Sequence, residues 1–277
     1  MIVVRLMGGL GNQMFQYAFG RALSIKYNRE LKIDLSFLTN RNRGSNFVYR
    51  NYELDIFNIE NEFYNSDLEQ LELINEVDFD FSEDISEKIG GIYHNKNILL
   101  DGHWASFKYF SEFESQIRRD FTFKNTIENS DQNVMNMLSM ILETESVLIN
   151  VRRTDFLNSD FHGVMGMDYI NKSKKIIEEK VNNPHYFIFS DDIDWCRENL
   201  KENNMTIVDH SYKGDRFSYY LQLMSSCKNF IIPNSTFAWW AAWLNNNLDK
   251  IVISPKIWLN SPNLELKDLT PHNWIRV

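Results

Sequence analysis

The sequence predicts an α/β protein built on mainly parallel sheets, and three observations carry that expectation. Short apolar and β-branched runs alternate with stretches whose apolar residues fall at helical spacing, the pattern of strands joined by covering helices. A glycine-rich turn, Gly8-Gly9-Leu10-Gly11, follows the first apolar run at once and opens a helical pattern. Polar clusters at Arg152-Arg153-Thr154-Asp155, Ser190-Asp191-Asp192 and Asn234-Ser235-Thr236 each close an apolar run in the second half. Ligands of parallel sheets sit beyond the carboxyl ends of the strands, so these clusters are expected on one rim.

Residues 2–6 read as the first strand, and Phe15, Ala18, Phe19, Ala22 and Leu23 mark the helix after it. Residues 31–35 read as a second strand. From Arg41 to about Gly91 the chain is polar, acidic and weakly periodic, which predicts loops and short helices. Residues 97–100 read as a strand, and Phe110, Phe113, Ile117 and Phe121 form one face of an amphipathic helix. The polar stretch 125–132 marks a boundary between an N-terminal half, residues 1–130, and a C-terminal half, residues 131–277, whose last residues are free to pack back on the first half.

The second half is more regular. Residues 147–151, 186–189, 230–232 and 251–253 read as strands, with helical patterns at 168–181, 192–203 and 217–227. A further helix opens near Ser235. It is apolar all round over residues 237–244, so it is expected inside the core.

Bulk properties narrow the function. A chain of 277 residues, 43% hydrophobic, has enough apolar mass for one large or two small domains. Its net charge of −9 argues against nucleic acid and anionic lipid as partners. A phosphorylated small ligand would have to be drawn by local cations and backbone N–H groups. Cys196 and Cys227 stand in no metal-like spacing and read as reduced thiols. No stretch reads as a secretory signal, and the longest apolar run is far below the ~18 residues of a membrane span. The expected location is cytoplasmic, with any contact to a membrane made through a substrate. Oligomeric state is left open.

Each motif has a functional and a structural account. The turn Gly8 to Gln13 suits an anion, because glycine allows close backbone approach and a helix start offers N–H groups; a plain tight turn accounts for it equally. Arg152 can hold a diphosphate bidentately while Asp155 orients it, whereas a solvated Arg–Asp pair would contribute about 0–1 kcal/mol and no function. Asn234, Ser235, Thr236 and Phe237 at a helix start suit a phosphate, and Asn and Ser are also ordinary N-caps. Asp191 and Asp192 could hold a metal, but no third ligand stands nearby at a supportive spacing, so no metal is expected. His162, in the loop Phe161-His162-Gly163-Val164, could take a proton from a hydroxyl or simply be a hydrogen-bonded structural residue. His103 and Trp104 could face a ligand or pack internally.

Together these segments resemble glycosyltransferase family 11, the α-1,2-fucosyltransferases, in its bacterial form. The opening Val4-Arg5-Leu6-Met7-Gly8-Gly9-Leu10-Gly11-Asn12-Gln13-Met14-Phe15-Gln16-Tyr17-Ala18 is similar to the family's first motif. Val151-Arg152-Arg153-Thr154-Asp155 resembles its H-x-R-R-x-D motif, Phe189-Ser190-Asp191-Asp192 its third, and residues 227–244 its fourth. Asn150 stands where the family usually has His, and Thr154 where Gly is usual. The resemblance runs from Met1 to about Trp258 and is weakest between Arg41 and Ile98.

The resemblance implies a GT-B arrangement, two Rossmann-like halves with mainly parallel sheets facing a cleft. It further implies an inverting transfer of L-fucose from GDP-fucose to a glycan hydroxyl, the 2-hydroxyl of a β-galactoside being the expected target, without cofactor or metal. The donor would lie on Gly11, Asn12, Gln13, Arg152, Ser190, Asp191, Asp192, Asn234, Ser235, Thr236 and Phe237, with an aspartate of the Asp191-Asp192 pair on the guanine edge. Arg152 would stabilise the leaving group, Asp155 or His162 would be the base, and His103 and Trp104 would stand on the acceptor side. Two rivals remain at this point: a transferase of another GDP-sugar, and an inactive sugar-nucleotide or glycan-binding protein, the latter suggested by Asn150.

Overall fold

The computed structural model describes residues 1–44, 47–60, 62–77, 80–157, 159, 162–260 and 266–277. The chain divides into two compact units, Met1–Lys124 with Leu266–Thr270, and Asn125–Glu265 with Pro271–Val277. Each is an α/β body on a wholly parallel sheet.

In the first unit β1 (Ile2–Arg5) leads into α1 (Leu10–Lys26), then β2 (Leu31–Asp34) and a single turn, α2 (Ser36–Thr39). After a long loop come β3 (Glu72–Asn75), α3 (Glu83–Gly90), β4 (Ile98–Asp101) and α4 (Glu114–Asp120). The sheet order is β2-β1-β4-β3. Helix α1 lies tight on this sheet: a Cβ on Gly20 would come 3.3 Å from Val4 Cβ and 3.0 Å from Leu31 Cδ1. The apolar face expected around Phe110, Phe113, Ile117 and Phe121 is broken at its start. Phe110, at φ −133°, separates two 3-10 turns, and regular helix begins only at Glu114.

The second unit starts with α5 (Gln132–Glu143) and β5 (Ser146–Val151), followed by α6 (Met167–Glu178), β6 (His185–Ser190), α7 (Ile193–Asn199) and β7 (Met205–Val208). Then come α8 (Ser218–Ser226), β8 (Asn229–Ile231), α9 (Thr236–Leu244), β9 (Val252–Ser254) and β10 (Ile275–Arg276). The order is β10-β9-β8-β5-β6-β7. Helix α9 is in the core, with Trp239 and Trp240 fully buried, as its all-round apolar sequence requires. Residues from 125 belong here rather than to the first half because Gln222 on α8 donates to Asn125 O at 2.9 Å and accepts from Ile127 N at 3.1 Å.

The C-terminal stretch serves both units. Residues 266–270 are fixed in the first by Ser106 Oγ, which donates to Asp268 O at 2.8 Å, and by a Lys108–Asp268 ion pair of 2.6 Å. Residues 271–277 return to the second, where β10 extends the sheet beside β9.

Strand order reverses direction twice, and each reversal opens a crevice at the carboxyl ends. In the second sheet it falls between β5 and β8, in the first between β1 and β4. Among the described residues no helix is long and apolar enough to cross a membrane.

Candidate active site

The crevice between β5 and β8 receives two of the polar clusters. Arg152 and Arg153 leave the end of β5, and Asn234, Ser235 and Thr236 join β8 to α9. The third cluster leaves β6 beside them, since Val151 pairs with Ser190 in register.

Carboxylates hold the arginines in place. Arg152 Nη2 lies 2.6 Å from Asp155 Oδ2 and its Nη1 lies 3.3 Å from Asp191 Oδ2, while the side chain stays 27% exposed. Asp191 also accepts from Arg153 N at 2.9 Å, Thr154 N at 3.2 Å and Thr154 Oγ1 at 2.5 Å. Arg153 Nε lies 3.1 Å from Asp192 Oδ2, and its guanidinium stacks over Trp195 at 4.3 Å. Asp192 caps α7 by accepting from Trp195 N at 3.2 Å. Both aspartates therefore act as braces of the arginine loop. Thr154 fits the place of the family's glycine because its hydroxyl joins this brace.

At the neighbouring helix, α9, Ser235 is the N-cap residue and makes no side-chain capping hydrogen bond. The N–H groups of the first turn of an uncapped helix attract an oxyanion. Ser235, Thr236 and Phe237 are half-buried at this start. Asn234 is not a surface reader: it is buried and its Nδ2 donates to Gly163 O at 3.0 Å and Trp258 O at 2.9 Å, latching two loops to the strand end. Ser190 is likewise buried, its Oγ accepting from Asp192 N at 2.9 Å.

His162 is half-buried, its ring stacked on Phe156 at 4.4 Å and its Nδ1 3.0 Å from Ser159 Oγ. Burial lowers its pKa below the ordinary value; the nearby Asp155 opposes this and Arg152 reinforces it. The imidazole is thus kept neutral at neutral pH, the state that accepts a proton. Phe161, the residue before it, lies outside the described residues. Asn150, in place of the family's histidine, donates from Nδ2 to Phe189 O at 3.0 Å and ties β5 to β6 at the rim.

Over residues 1–277 the chain matches the family described as Glycosyl transferase family 11. It belongs to that family. It is 34% identical over 296 residues to the alpha-1,2-colitosyltransferase of Escherichia coli, covering 100% of this chain and 98% of that one. It is 25% identical over 157 residues to human galactoside alpha-(1,2)-fucosyltransferase 1, a match spanning 53% of this chain and 43% of the human one. Among solved structures, POFUT1 in complex with GDP-fucose superposes with a TM-score of 0.53 at 11% identity, over 99% of this chain and 96% of that chain. That likeness speaks for the fold, which is GT-B. The chain is therefore an enzyme, a glycosyltransferase of family 11.

Residues on the first unit of this family 11 enzyme behave differently from expectation. Gln13 is fully buried, and both ends of its amide are taken: Nε2 donates to Gly8 O at 2.9 Å and Asn51 O at 2.8 Å, while Oε1 accepts from Glu53 N at 2.9 Å. It positions the glycine turn instead of reaching a ligand. Gly11 is buried and Asn12 half-buried in the first turn of α1, whose N-cap Gly9 has no side chain to close it. Trp104 is a core residue, not an acceptor platform: it is fully buried, 4.9 Å from the Phe19 ring and edge-on to Tyr109 at 5.8 Å. His103 remains half-buried on the rim. Glu76, which the sequence does not flag, fixes this turn by accepting from His103 N at 2.6 Å and Trp104 N at 2.9 Å. Burial pushes its pKa up to about 7 despite those two hydrogen bonds.

A second missed feature follows β7. Arg216 and Phe217 both have left-handed backbone, φ 49° and 61°, an uncommon and strained state for such side chains. Phe217 packs edge-on against His210 at 5.6 Å, and His210 Nε2 lies 2.8 Å from Ser190 O. A loop built under strain beside the arginine rim is a feature of sites. Gly214, at φ 62°, is the one local sequence signal that could have pointed to it.

Proposed function

We propose that the enzyme transfers L-fucose from GDP-fucose to a glycan hydroxyl, the 2-hydroxyl of a β-galactoside, with inversion at the anomeric carbon. The observation that carries this reading is that the braced Arg152 guanidinium and the uncapped start of α9 follow the two neighbouring strands, β5 and β8, that flank the switch point of the second sheet. A planar two-pronged cation and a helix N-terminus are the two groups best suited to a nucleoside diphosphate. Relatives named for α-1,2 transfer support the linkage.

In the reaction the acceptor oxygen bonds to C1 of the fucosyl group as the bond from C1 to the phosphate oxygen breaks. GDP departs with the electron pair. Arg152, Ser235 and the first N–H groups of α9 meet the charge that grows on the diphosphate, and such preorganised groups are worth most when that charge is fully developed. The acceptor proton goes to a base on the opposite face; His162, held neutral by burial, and Asp155 are the candidates. Asp155 already accepts from Arg152, which favours His162. No metal ion is assigned a part in the step.

A second reading, another GDP-sugar as donor, is favoured by one finding, the relative named for colitosyl transfer. The arginine and the helix start read the diphosphate and not the sugar. The test is GDP release from GDP-fucose and from GDP-mannose with a panel of β-galactosides, in EDTA, with the product linkage determined. Release from GDP-fucose with an α-1,2 product is expected. Turnover of GDP-mannose alone would move the assignment to the second reading, and failure to bind any GDP-sugar would overturn both.

A further inference from the structure

Between Asp34 and Glu53 the sequence contains no acidic residue and three arginines, Arg41, Arg43 and Arg50, in a chain whose net charge is −9. The stretch from Arg41 to Gly91 is acidic as a whole, but its start is basic. The segment follows β2 and α2, at the carboxyl end of the first sheet.

The loop is assembled. Tyr49 OH donates to Arg41 O at 2.6 Å and accepts from Arg43 N at 2.9 Å, closing the loop across its base. Arg41 Nη2 donates to Asn51 Oδ1 at 2.7 Å, and the backbone carbonyl of Asn51 is the one held by buried Gln13. That contact fastens the loop to the glycine turn. Arg50 lies over the same turn, its Nε 3.9 Å from where a Cβ on Gly9 would stand.

Aromatic rings support the cations. The Arg43 guanidinium sits 3.6 Å above the Phe37 ring and 5.4 Å from Phe47, and Arg41 sits 5.3 Å from Tyr49. Phe47 is 36% exposed and edge-on to Tyr49 at 5.1 Å. Stacking fixes the plane of a guanidinium while its donors, which lie in that plane, point outward. Among the described residues neither Arg41 nor Arg43 has a carboxylate partner. The first unit's other rim arginine, Arg5, is by contrast locked between Asp34 at 2.8 Å and Asp101 at 2.5 Å.

We propose that the Arg41–Arg43 loop is an oxyanion subsite for the acceptor: it binds a phosphate or carboxylate carried by the glycan, while Phe47 packs on the adjoining sugar. The proposal rests on the transferase reading for the word acceptor, but not for the binding itself. Pre-oriented guanidinium forks favour a tetrahedral or planar oxyanion over a neutral hydroxyl. Exposed aromatic carbon suits the apolar face of a sugar ring. A local cationic patch on an acidic chain also sets a preference that salt would screen.

The experiment is equilibrium binding of lactose, lactose 1-phosphate and lactobionate to the full chain, at low and high NaCl, for the wild type, the double variant R41Q/R43Q and Arg43→Lys. Binding needs no turnover, so it reads the loop even if the enzyme acts on a different donor. The wild type is expected to hold at least one of the two anionic probes about tenfold more tightly than lactose, a gap of about 1.4 kcal/mol, shrinking with salt. The double variant should bring all three probes to one affinity, and Arg43→Lys should keep part of the gap. Preference for lactose 1-phosphate alone identifies a phosphate subsite, and preference for lactobionate alone a carboxylate subsite. Equal affinity of the wild type for all three, or a gap that survives R41Q/R43Q, overturns the proposal.

Discussion

Two helices begin on the rim of the second sheet, α7 after β6 and α9 after β8 on either side of β5, and they begin in opposite ways. Helix α7 is closed by Asp192, whose carboxylate accepts from Trp195 N and pairs with Arg153. Helix α9 starts at Ser235 with no side-chain cap. A capping carboxylate both satisfies the free N–H groups and neutralises the positive end of the helix, so α7 has nothing to offer an anion. What the pair teaches is that a helix start on the rim can serve an anion only where its polar residue leaves it open. The acid beside it does the reverse, turning its charge inward to hold an arginine.

The sharpest way to break this comparison is to remove Arg152, the cation at the end of the strand next to β8. Arg152→Ala is expected to lower the rate of GDP release by roughly 10²–10³-fold, and Arg152→Lys should recover little, because an ammonium lacks the two-pronged edge. A loss below tenfold would show that the diphosphate lies elsewhere. Next, Ser235→Asp would make α9 resemble α7. GDP affinity, read by calorimetry, should fall about tenfold or more while thermal stability holds or rises, since an acid at a helix start adds about 0.3–1 kcal/mol. Unchanged affinity would detach α9 from the donor.

The reverse exchange, Asp192→Ala, opens α7. It should cost about 1 kcal/mol of stability through the lost cap, seen as a lower melting temperature, with a smaller effect on GDP affinity than Ser235→Asp. Tighter GDP binding would mean that openness alone makes the site.

The smallest effect concerns the first unit. Glu76 has its folded pKa raised from 4.5 to about 7 by burial, so the folded state holds a proton that the unfolded state has lost over that interval. Its contribution to stability is present below pH 4.5 and is lost as pH rises toward 7. Glu76→Gln, which cannot ionise, should therefore gain on the wild type between those limits in parallel thermal melts, though it serves one of the two N–H groups less well. A difference constant with pH would remove Glu76 as a titrating group.

The inner strands were legible because they are buried on both faces. Residues 2–5, 147–151, 186–189 and 230–231 read as continuous apolar runs and are strands. Of the edge strands β2 was read, from its apolar run, while β3, β7 and β10 escaped: in β3 three of four residues are exposed, so its sequence looks like loop. At the site, the clusters were legible as positions but not as directions. Arg152 and Ser235 are half-buried on the rim, whereas Gln13, Ser190 and Asn234 are turned to the backbone. A polar side chain that serves a ligand and one that serves a carbonyl are the same letters in a sequence. Strain at Arg216 and Phe217 and the clamp by Glu76 depend on backbone angles and distant partners, which no local pattern encodes.

The path of the last residues bears on how members of this family can be recombined. Residues 266–270 belong to the first unit and residues 271–277 to the second. A chimaera joined once, at 124/125, would take its body from one parent and this returning tail from the other. The tail's Asp268 meets Ser106 and Lys108 of the first unit, and its β10 meets β9 of the second. Exchanging one whole unit between relatives thus calls for three splice points, with the five-residue insert kept beside the half it was shaped against.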